Sequence, residues 1–299
     1  MTEADLLARE FERHRARLRA LAYRMLGTVS DADDAVQEAW LRLHRADADA
    51  IANLPGWLTS VIARVSVDML RTRSARREDY VGSWLPEPLV QGDEMPGDPE
   101  YEALMADSVG LALLVVLDTL APDERLAFVL HDMFALPFDE IAAVLNTTPG
   151  AARQLASRAR RRVRGATPAD HTDAAQQRQL VDAFLAASRE GDFAALVAIL
   201  DSGVVFRLDA GGRADRAREP VTGPDAVARR VLARGRPFAH LARPAMVNGA
   251  PGLLVATRGA AMAVVGFTCA HGRIVAIDLI ADPEKLRRLD VRPDPGDSP

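Results

Sequence analysis

LPFDEIAAVLNTTPGAARQLASRARRRVR, residues 136–164, decides how the rest of the chain is read, because two short helical patterns meet in it across a turn and the second ends in a run of arginine. Pro137 stands where a helix can begin without its N–H. Asp139 and Glu140 complement the positive helix start, and Phe138, Ile141, Val144 and Leu145 form an apolar stripe that stops at Asn146-Thr147. Thr148 then reads as an N-cap and Pro149 as the first residue of a second helix, with Ala152, Leu155, Ala156, Ala159 and Val163 on one side. The other side carries Arg153, Gln154, Ser157, Arg158 and Arg161. This is the layout of a helix-turn-helix that lays its second helix in the major groove. Arg and Gln read base edges bidentately, while Ser and the flanking Arg160, Arg162 and Arg164 suit phosphates. A solvated basic face on an ordinary helical hairpin has the same composition, so the rest of the chain has to decide.

At 299 residues the chain has room for about two domains, or three small ones, and nearly half its residues are apolar. No apolar run reaches the length of a membrane span and the start is polar, without a secretory signal, so the expectation is a soluble cytoplasmic protein with no membrane partner. The single cysteine, Cys269, rules out an intramolecular disulfide framework or a cysteine-cluster zinc site and reads as a small buried residue in a strand. The net charge of −5 argues against indiscriminate binding to nucleic acid, but the charge is segregated. Residues 81–108 hold Glu87, Asp93, Glu94, Asp98, Glu100, Glu102 and Asp107 without a base, whereas residues 153–164 hold six arginines without an acid. Lys285 is the only lysine.

A helix is expected over residues 4–26, with Phe11, Leu18, Leu21 and Met25 on one face, ended by Gly27-Thr28. Ser30 followed by Asp33 reads as a capping box opening a second helix whose inward residues are Ala32, Val36, Ala39, Trp40 and Leu43. Its outward face, Asp31, Asp34, Gln37 and Glu38, is an acidic patch that solvation and dipole placement would also explain. After a loop through Asn53-Leu54-Pro55-Gly56, a third helix near Trp57 buries Leu58, Ile62, Val65, Met69 and Leu70 and ends in Arg71, Arg73, Arg76 and Arg77. An aromatic ring beside guanidiniums is what an unpaired strand needs, although Trp57 fits a core equally well.

The order of Ser-Asp-Ala-Asp-Asp-Ala-Val-Gln-Glu-Ala-Trp-Leu (30–41), then Trp57-Leu58, Asp68-Met69-Leu70-Arg71 and the Arg76-Arg77 pair, then the helix-turn-helix, resembles a bacterial RNA polymerase sigma factor of the extracytoplasmic-function group. The resemblance implies a region 2 helical domain over 1–79 and a region 4 helix-turn-helix domain over 104–166. Asp31, Asp34, Gln37 and Glu38 would dock on core RNA polymerase. Trp57, Arg64, Asp68, Arg71, Arg73, Arg76 and Arg77 would melt and read the −10 element of promoter DNA. Thr148, Arg153, Gln154, Ser157, Arg158 and Arg161 would read the −35 element. Arg64 stands where a common Asn of the family would be.

Residues 80–103 read as an acidic, Pro-rich linker, and its Trp84-Leu85-Pro86-Glu87-Pro88 resembles the signature of the SigJ-like subgroup, which carries a fused C-terminal domain. Further helices are expected from Tyr101 to Leu120 and from Pro122 through Asp132. Residues 170–290 change character. Helices are expected over His171–Arg189, Phe193–Leu200 and Asp225–Arg234. The strands are Val204–Leu208, Ala245–Val247, Leu253–Ala256, Ala261–Cys269 and Ile274–Ile280, with hairpin turns at Asn248-Gly249 and His271-Gly272. Helices first and a curved antiparallel sheet after make an α+β cone, which resembles the SnoaL-like, nuclear-transport-factor-type fold. The fold class expected is therefore two all-α domains followed by that cone, with residues 291–299 a disordered tail.

Relatives of the cone include isomerases and cyclases, which place an Asp base and a polar partner in its mouth. Asp209, His240, Asp278 and Arg258 are the candidates, and no spacing pairs them, so neither catalysis nor a cofactor or metal is expected. Asp209-Ala210-Gly211-Gly212 and Asp282-Pro283-Glu284-Lys285-Leu286 resemble the subgroup's Asp-Gly-Gly-Gly and Asn-Pro-Asp-Lys-Leu motifs, departing at Ala210, Asp282 and Glu284. The resemblance assigns Asp209, Gly211, Gly212, Asp282, Pro283, Lys285 and Leu286 to control of the sigma domains in cis. Two other readings remain open at this point. One is a helix-turn-helix regulator whose C-terminal domain binds a ligand or catalyses, and the other is a sensor for a small molecule of unknown kind.

Overall fold

The computed structural model describes residues 3–47, 51–76, 83–91, 109–166, 172–211, 219–257 and 260–289. The expected helix over 101–108, Arg77, Gly212, Arg258 and the 291–299 tail lie outside them. The chain divides into two compact units, one of residues 1–79, 100–107 and 113–167, the other of residues 80–99, 108–112 and 168–299.

The first unit is helical. α1 (Glu3–Leu26), α2 (Val29–Arg45) and α3 (Leu54–Arg76) bury Phe11, Leu18, Leu21, Met25, Val36, Leu43, Leu58 and Ile62 between them. Thr28, not Ser30, caps α2, its side chain accepting from the Asp31 amide at 3.2 Å. Asp33 accepts from the Arg19 guanidinium, from Nε at 2.6 Å and from Nη2 at 3.3 Å. Helix α3 starts three residues earlier than the apolar pattern suggests, because Asn53 accepts from the Gly56 amide at 3.1 Å and Pro55 is tolerated in a first turn. Trp40 is half-buried, its ring 5.1 Å from that of Phe11.

α4 (Leu111–Asp118) and α5 (Pro122–Phe128) lead into a π turn over Val129–Met133, which replaces the expected continuous helix to Asp132. α6 (Phe138–Leu145) ends at Asn146 in the left-handed conformation, φ 55°, and α7 (Pro149–Ala166) starts behind Thr148, which accepts from the Ala151 amide at 3.2 Å. Ala152, Ala156 and Ala159 are fully buried, so α7 sits close against its neighbours on its small-residue side. Arg125 is the largest fully buried side chain among the described residues, donating to the Arg24 carbonyl at 2.9 and 3.1 Å and to Asp118 at 3.2 Å. It ties α5 to the end of α1.

The second unit is the α+β cone. α8 (Ala174–Glu190) and α9 (Phe193–Ile199) lead into β2 (Leu200–Asp209). β3 (Val221–Thr222), α10 (Pro224–Arg230), a π turn over Val231–Gly235, β4 (Ala242–Val247), β5 (Ala250–Thr257), β6 (Ala260–Ala270), β7 (Arg273–Ile280) and a short α11 (Pro283–Leu286) follow. With β1 (Val90–Gln91) they form one seven-stranded sheet in the order β1-β4-β5-β6-β7-β2-β3. All described pairings are antiparallel except β2 with β7, which is parallel. Both hairpin turns carry the expected left-handed residues, Asn248 and Gly249 at φ 48° and 77°, His271 and Gly272 at φ 51° and 70°. Phe184, Phe206, Phe267 and Ile277 are central to the core between α8 and the sheet.

Candidate functional site

Helix α7 offers the polar face that the sequence assigned to it. Arg153, Gln154, Arg158 and Arg161 are exposed and Ser157 is half-buried. The Arg153 guanidinium lies 5.1 Å from the centre of the Phe138 ring, and Arg161 donates to the Ser157 hydroxyl at 3.3 Å. Thr148 is spent on the helix cap. Glu124, which the sequence reading passed over, is 6% exposed at the start of α5 and takes Arg158 at 2.9 Å and Arg162 at 2.6 Å. Asp132 takes Arg160 at 2.6 Å. The two carboxylates hold three arginines in fixed directions while Arg158 and Arg162 each keep about half their side-chain surface in solvent, at 47% and 54%. A surface of forked donors so braced suits base edges and phosphates.

On α2, Asp34 and Gln37 are exposed and Glu38 is paired with Arg42 at 2.8 Å. Asp31 and Arg73 were expected to face different partners, polymerase and DNA. The two side chains are 2.9 Å apart, and Arg73 also donates to the Leu26 carbonyl, because the end of α3 lies against the α1–α2 turn. Arg64 is exposed and donates to the Ala143 carbonyl at 3.1 Å. Arg71 reaches Asp68 at 3.6 Å and Asp123 at 2.8 Å. Trp57 is half-buried, and Arg76 is the last residue of α3.

The second unit brings together what the sequence kept far apart. Residues 85–90 of the Pro-rich segment are buried in succession and run as a strap onto the cone. The Leu85 amide donates to Asp209 at 2.8 Å, and the Lys285 ammonium donates to the same carboxylate at 2.6 Å and to the Leu85 carbonyl. That ammonium lies 4.2 Å from the centre of the Trp84 ring. The Leu89 amide donates to the Asn248 side chain at 3.1 Å, the Asn248 amide returns a bond to the Leu89 carbonyl at 2.7 Å, and Val90 pairs with Val247 in the sheet. Asp209 is at the buried end of β2, and its other oxygen accepts from the Gly211 amide at 3.1 Å.

Asp282 caps α11, accepting from the Glu284 amide at 2.9 Å, a role Asp fills as well as Asn. Gly211, at φ +66°, has no room for a side chain, since a Cβ would stand 2.8 Å from the Asp282 carboxylate. Four stretches of sequence, 84–90, 209–211, 247–248 and 282–286, thus form one clamp. Of its members, Trp84, Leu85, Leu89 and Asn248 had no place among the expected functional residues. The signals for them were the Trp84-Leu85 signature, the apolar residues bracketing the two prolines, the Asn248-Gly249 turn and the lone lysine.

Of the catalytic candidates, Asp278 is buried against Arg207, with bonds of 2.5 and 3.0 Å. Burial holds its carboxyl above the ordinary range, partly offset by that guanidinium. His240 is exposed, and Cys269 is buried in β6, its thiol pushed up to about 12 by burial. Among the described residues these groups do not converge.

Comparison with known proteins separates the readings left open. The model of Sigma-70 region 2 matches residues 11–76 and that of Sigma-70 region 4 matches residues 110–163. The chain is 42% identical over 291 residues to the ECF RNA polymerase sigma factor SigJ of Mycobacterium tuberculosis, covering 93% of this chain and 92% of that one. It is 35% identical over 298 residues to the probable ECF RNA polymerase sigma factor SigI of the same species, covering 97% and 98%. The crystal structure of the M. tuberculosis SigJ superposes with a TM-score of 0.77 at 40% identity, covering 95% of this chain and all of that one.

Proposed function

The chain belongs to the extracytoplasmic-function RNA polymerase sigma factors, and from that premise we propose how its residues divide the work of choosing a promoter. As a sigma factor it binds core RNA polymerase and directs promoter recognition and transcription initiation. Arg153, Gln154, Arg158 and Arg161 read the −35 element, the position and exposure of α7 being the observation that carries this assignment. Trp57, Arg64, Asp68 and Arg71, with Arg76 and Arg77 beyond them, engage the −10 element. Asp34, Gln37 and Glu38 dock on polymerase. Arg73 and Asp31 serve both surfaces indirectly, by fixing the end of α3 on the α1–α2 turn. A protein with this task works beside the chromosome, so we place it in the cytoplasm. None of the helices described is long and apolar enough to cross a membrane.

The C-terminal domain controls the sigma domains in cis, and the strap is the means. The segment that joins region 2 to region 4 in the chain is held by Asp209, Asn248 and Lys285, so its freedom to extend depends on the clamp. Run-off transcription with purified core polymerase tests both parts. The full chain should initiate from its own promoters, and Arg153→Ala should lower initiation at sites with a −35 element by about tenfold or more. Lys285→Met should raise output by loosening the strap. No association of the full chain with core polymerase at low salt would end the first reading, and unchanged output with Lys285→Met would end the second.

A further inference from the structure

The cone encloses a cavity of about 440 Å³ between its sheet and helices α8 and α10, within the ~300–1,000 Å³ range of small-molecule sites. Its wall is aliphatic and aromatic: Phe184, Phe206, Leu208, Val265, Ile277 and Leu279 all face it. Strand alternation explains why. Phe206 and Leu208 turn inward on β2 while Arg207 and Asp209 turn away, and Ile277 and Leu279 turn inward on β7 while Asp278 turns away to meet Arg207. Among the described residues no carboxylate and no imidazole belongs to the lining. Ser188 lines it too, with its hydroxyl donated to the Phe184 carbonyl at 2.7 Å. Among the described residues the charged ones of the lining are Arg230 and Arg234, one helical turn apart, the first half-buried and the second exposed. Beside them Phe238 and Met262, 45% and 38% exposed, leave large apolar side chains at the opening.

An apolar void of this size forfeits dispersion contacts along its whole lining, and an apolar guest restores them. Among the described residues the wall holds no acid and opens toward two guanidiniums, which selects for one kind of guest. We propose that the cavity is a receptor site for an apolar carboxylate, an alkyl or aryl acid whose hydrocarbon fills the interior and whose anionic end meets Arg230 and Arg234. We further infer, resting here on the cis-control reading, that occupancy is passed to the strap. Ala210 and Ala281 line the cavity, and their chain neighbours Asp209, Gly211 and Asp282 belong to the clamp. The Ala281 amide donates to the Asp209 carbonyl at 2.6 Å, so a guest that shifts either alanine shifts the residue that holds Leu85.

Decanoate, below the concentration at which it forms micelles, and decan-1-ol are the probes, titrated calorimetrically into the full-length protein. Decanoate should bind saturably at one site per chain, and Ala263→Trp, which fills the lining, should remove that binding. Arg234→Ser changes an exposed residue and tests the anionic end in a protein that folds. It should weaken decanoate by about tenfold, as expected for one charge-assisted contact, and leave decan-1-ol unchanged. Hydrogen exchange of the 83–91 amides should change by about fivefold or more at saturating decanoate. No saturable binding of decanoate, or binding that survives in a folded Ala263→Trp protein, overturns the site. Equal effects of Arg234→Ser on both probes overturn the choice of an acid, and unchanged exchange in 83–91 overturns the coupling. Polymerase and DNA are absent from these measurements, so their failure leaves promoter recognition standing.

Discussion

Replacing Lys285 with Met strips the cation from a carboxylate that has no exposed side-chain surface. Lys285 is 8% exposed and Asp209 0% at their side chains, so solvent does not screen the pair. Breaking one partner of such a pair costs about 3–5 kcal/mol, and the Leu85 and Gly211 amides that still donate to Asp209 put the expected loss near the lower end, about 3 kcal/mol. Asp209→Asn should cost a similar amount, because it leaves an ammonium buried against the Leu85 carbonyl and the Trp84 ring. The double variant removes both charges and keeps an acceptor for the Leu85 amide. It should cost only about 1–2 kcal/mol, far less than the sum of the single changes. Native-state hydrogen exchange of the Leu85 and Leu89 amides in the full chain reads the opening of the strap directly. Lys285→Met should speed exchange at Leu85 more than about a hundredfold, and restoring neutrality with Asp209→Asn should return most of it. Exchange at Leu85 that barely moves in Lys285→Met, or a double variant as open as the two singles combined, would refute the argument.

Other outcomes follow from the same structure. Arg153→Ala or Gln154→Ala should lose about 1–3 kcal/mol on promoter DNA and relax preference at one base position, whereas Arg164→Ala should weaken all duplexes alike and lower the salt dependence. Competition gel shifts over a salt series separate the two patterns. Arg125→Met, which empties a buried site shared by Arg24 and Asp118, should destabilise the helical unit by about 3–5 kcal/mol in urea unfolding. The Cys269 thiol, with its pKa near 12, should resist thiol reagents at pH 8 until denaturant is added. Asp278 has a folded-state pKa above its unfolded one, so its contribution is full below the unfolded value of 3.8 and is lost as pH rises through the raised folded value. The stability of Asp278→Asn relative to the parent should therefore rise with pH across that window, and thermal unfolding at stepped pH measures it.

The helix-turn-helix was legible because its signals are local: Asn146 and Thr148 mark one helix end and the next start within three residues, and alanines at helical spacing mark the buried side. The cap of α2 was misplaced by two positions because Thr28 and Ser30 carry the same hydroxyl, and only the folded turn shows which one faces the Asp31 amide. The strap was not legible as a bound element. Pro and acid content describes how a segment behaves when nothing holds it, and what holds Val90 is Val247, a partner at the far end of the sequence. Asn248 was recognised as a turn residue from its neighbour Gly249, but its second task, accepting from Leu89, leaves no local trace. The pairing of Asp31 with Arg73 was hidden for the same reason.

Lys285 carries the only ε-amine of a chain whose other basic residues are arginine or histidine, and that amine is shut in while the strap is seated. An acyl group can reach it only after the strap lifts, and once attached it leaves a bulky neutral amide that neither balances Asp209 nor fits beneath Trp84. Acylation would therefore act as a ratchet, trapping molecules that have opened, and the growth with time of the acyl mass on the Lys285 peptide, separate from that on the α-amine, would report those excursions without any engineered label.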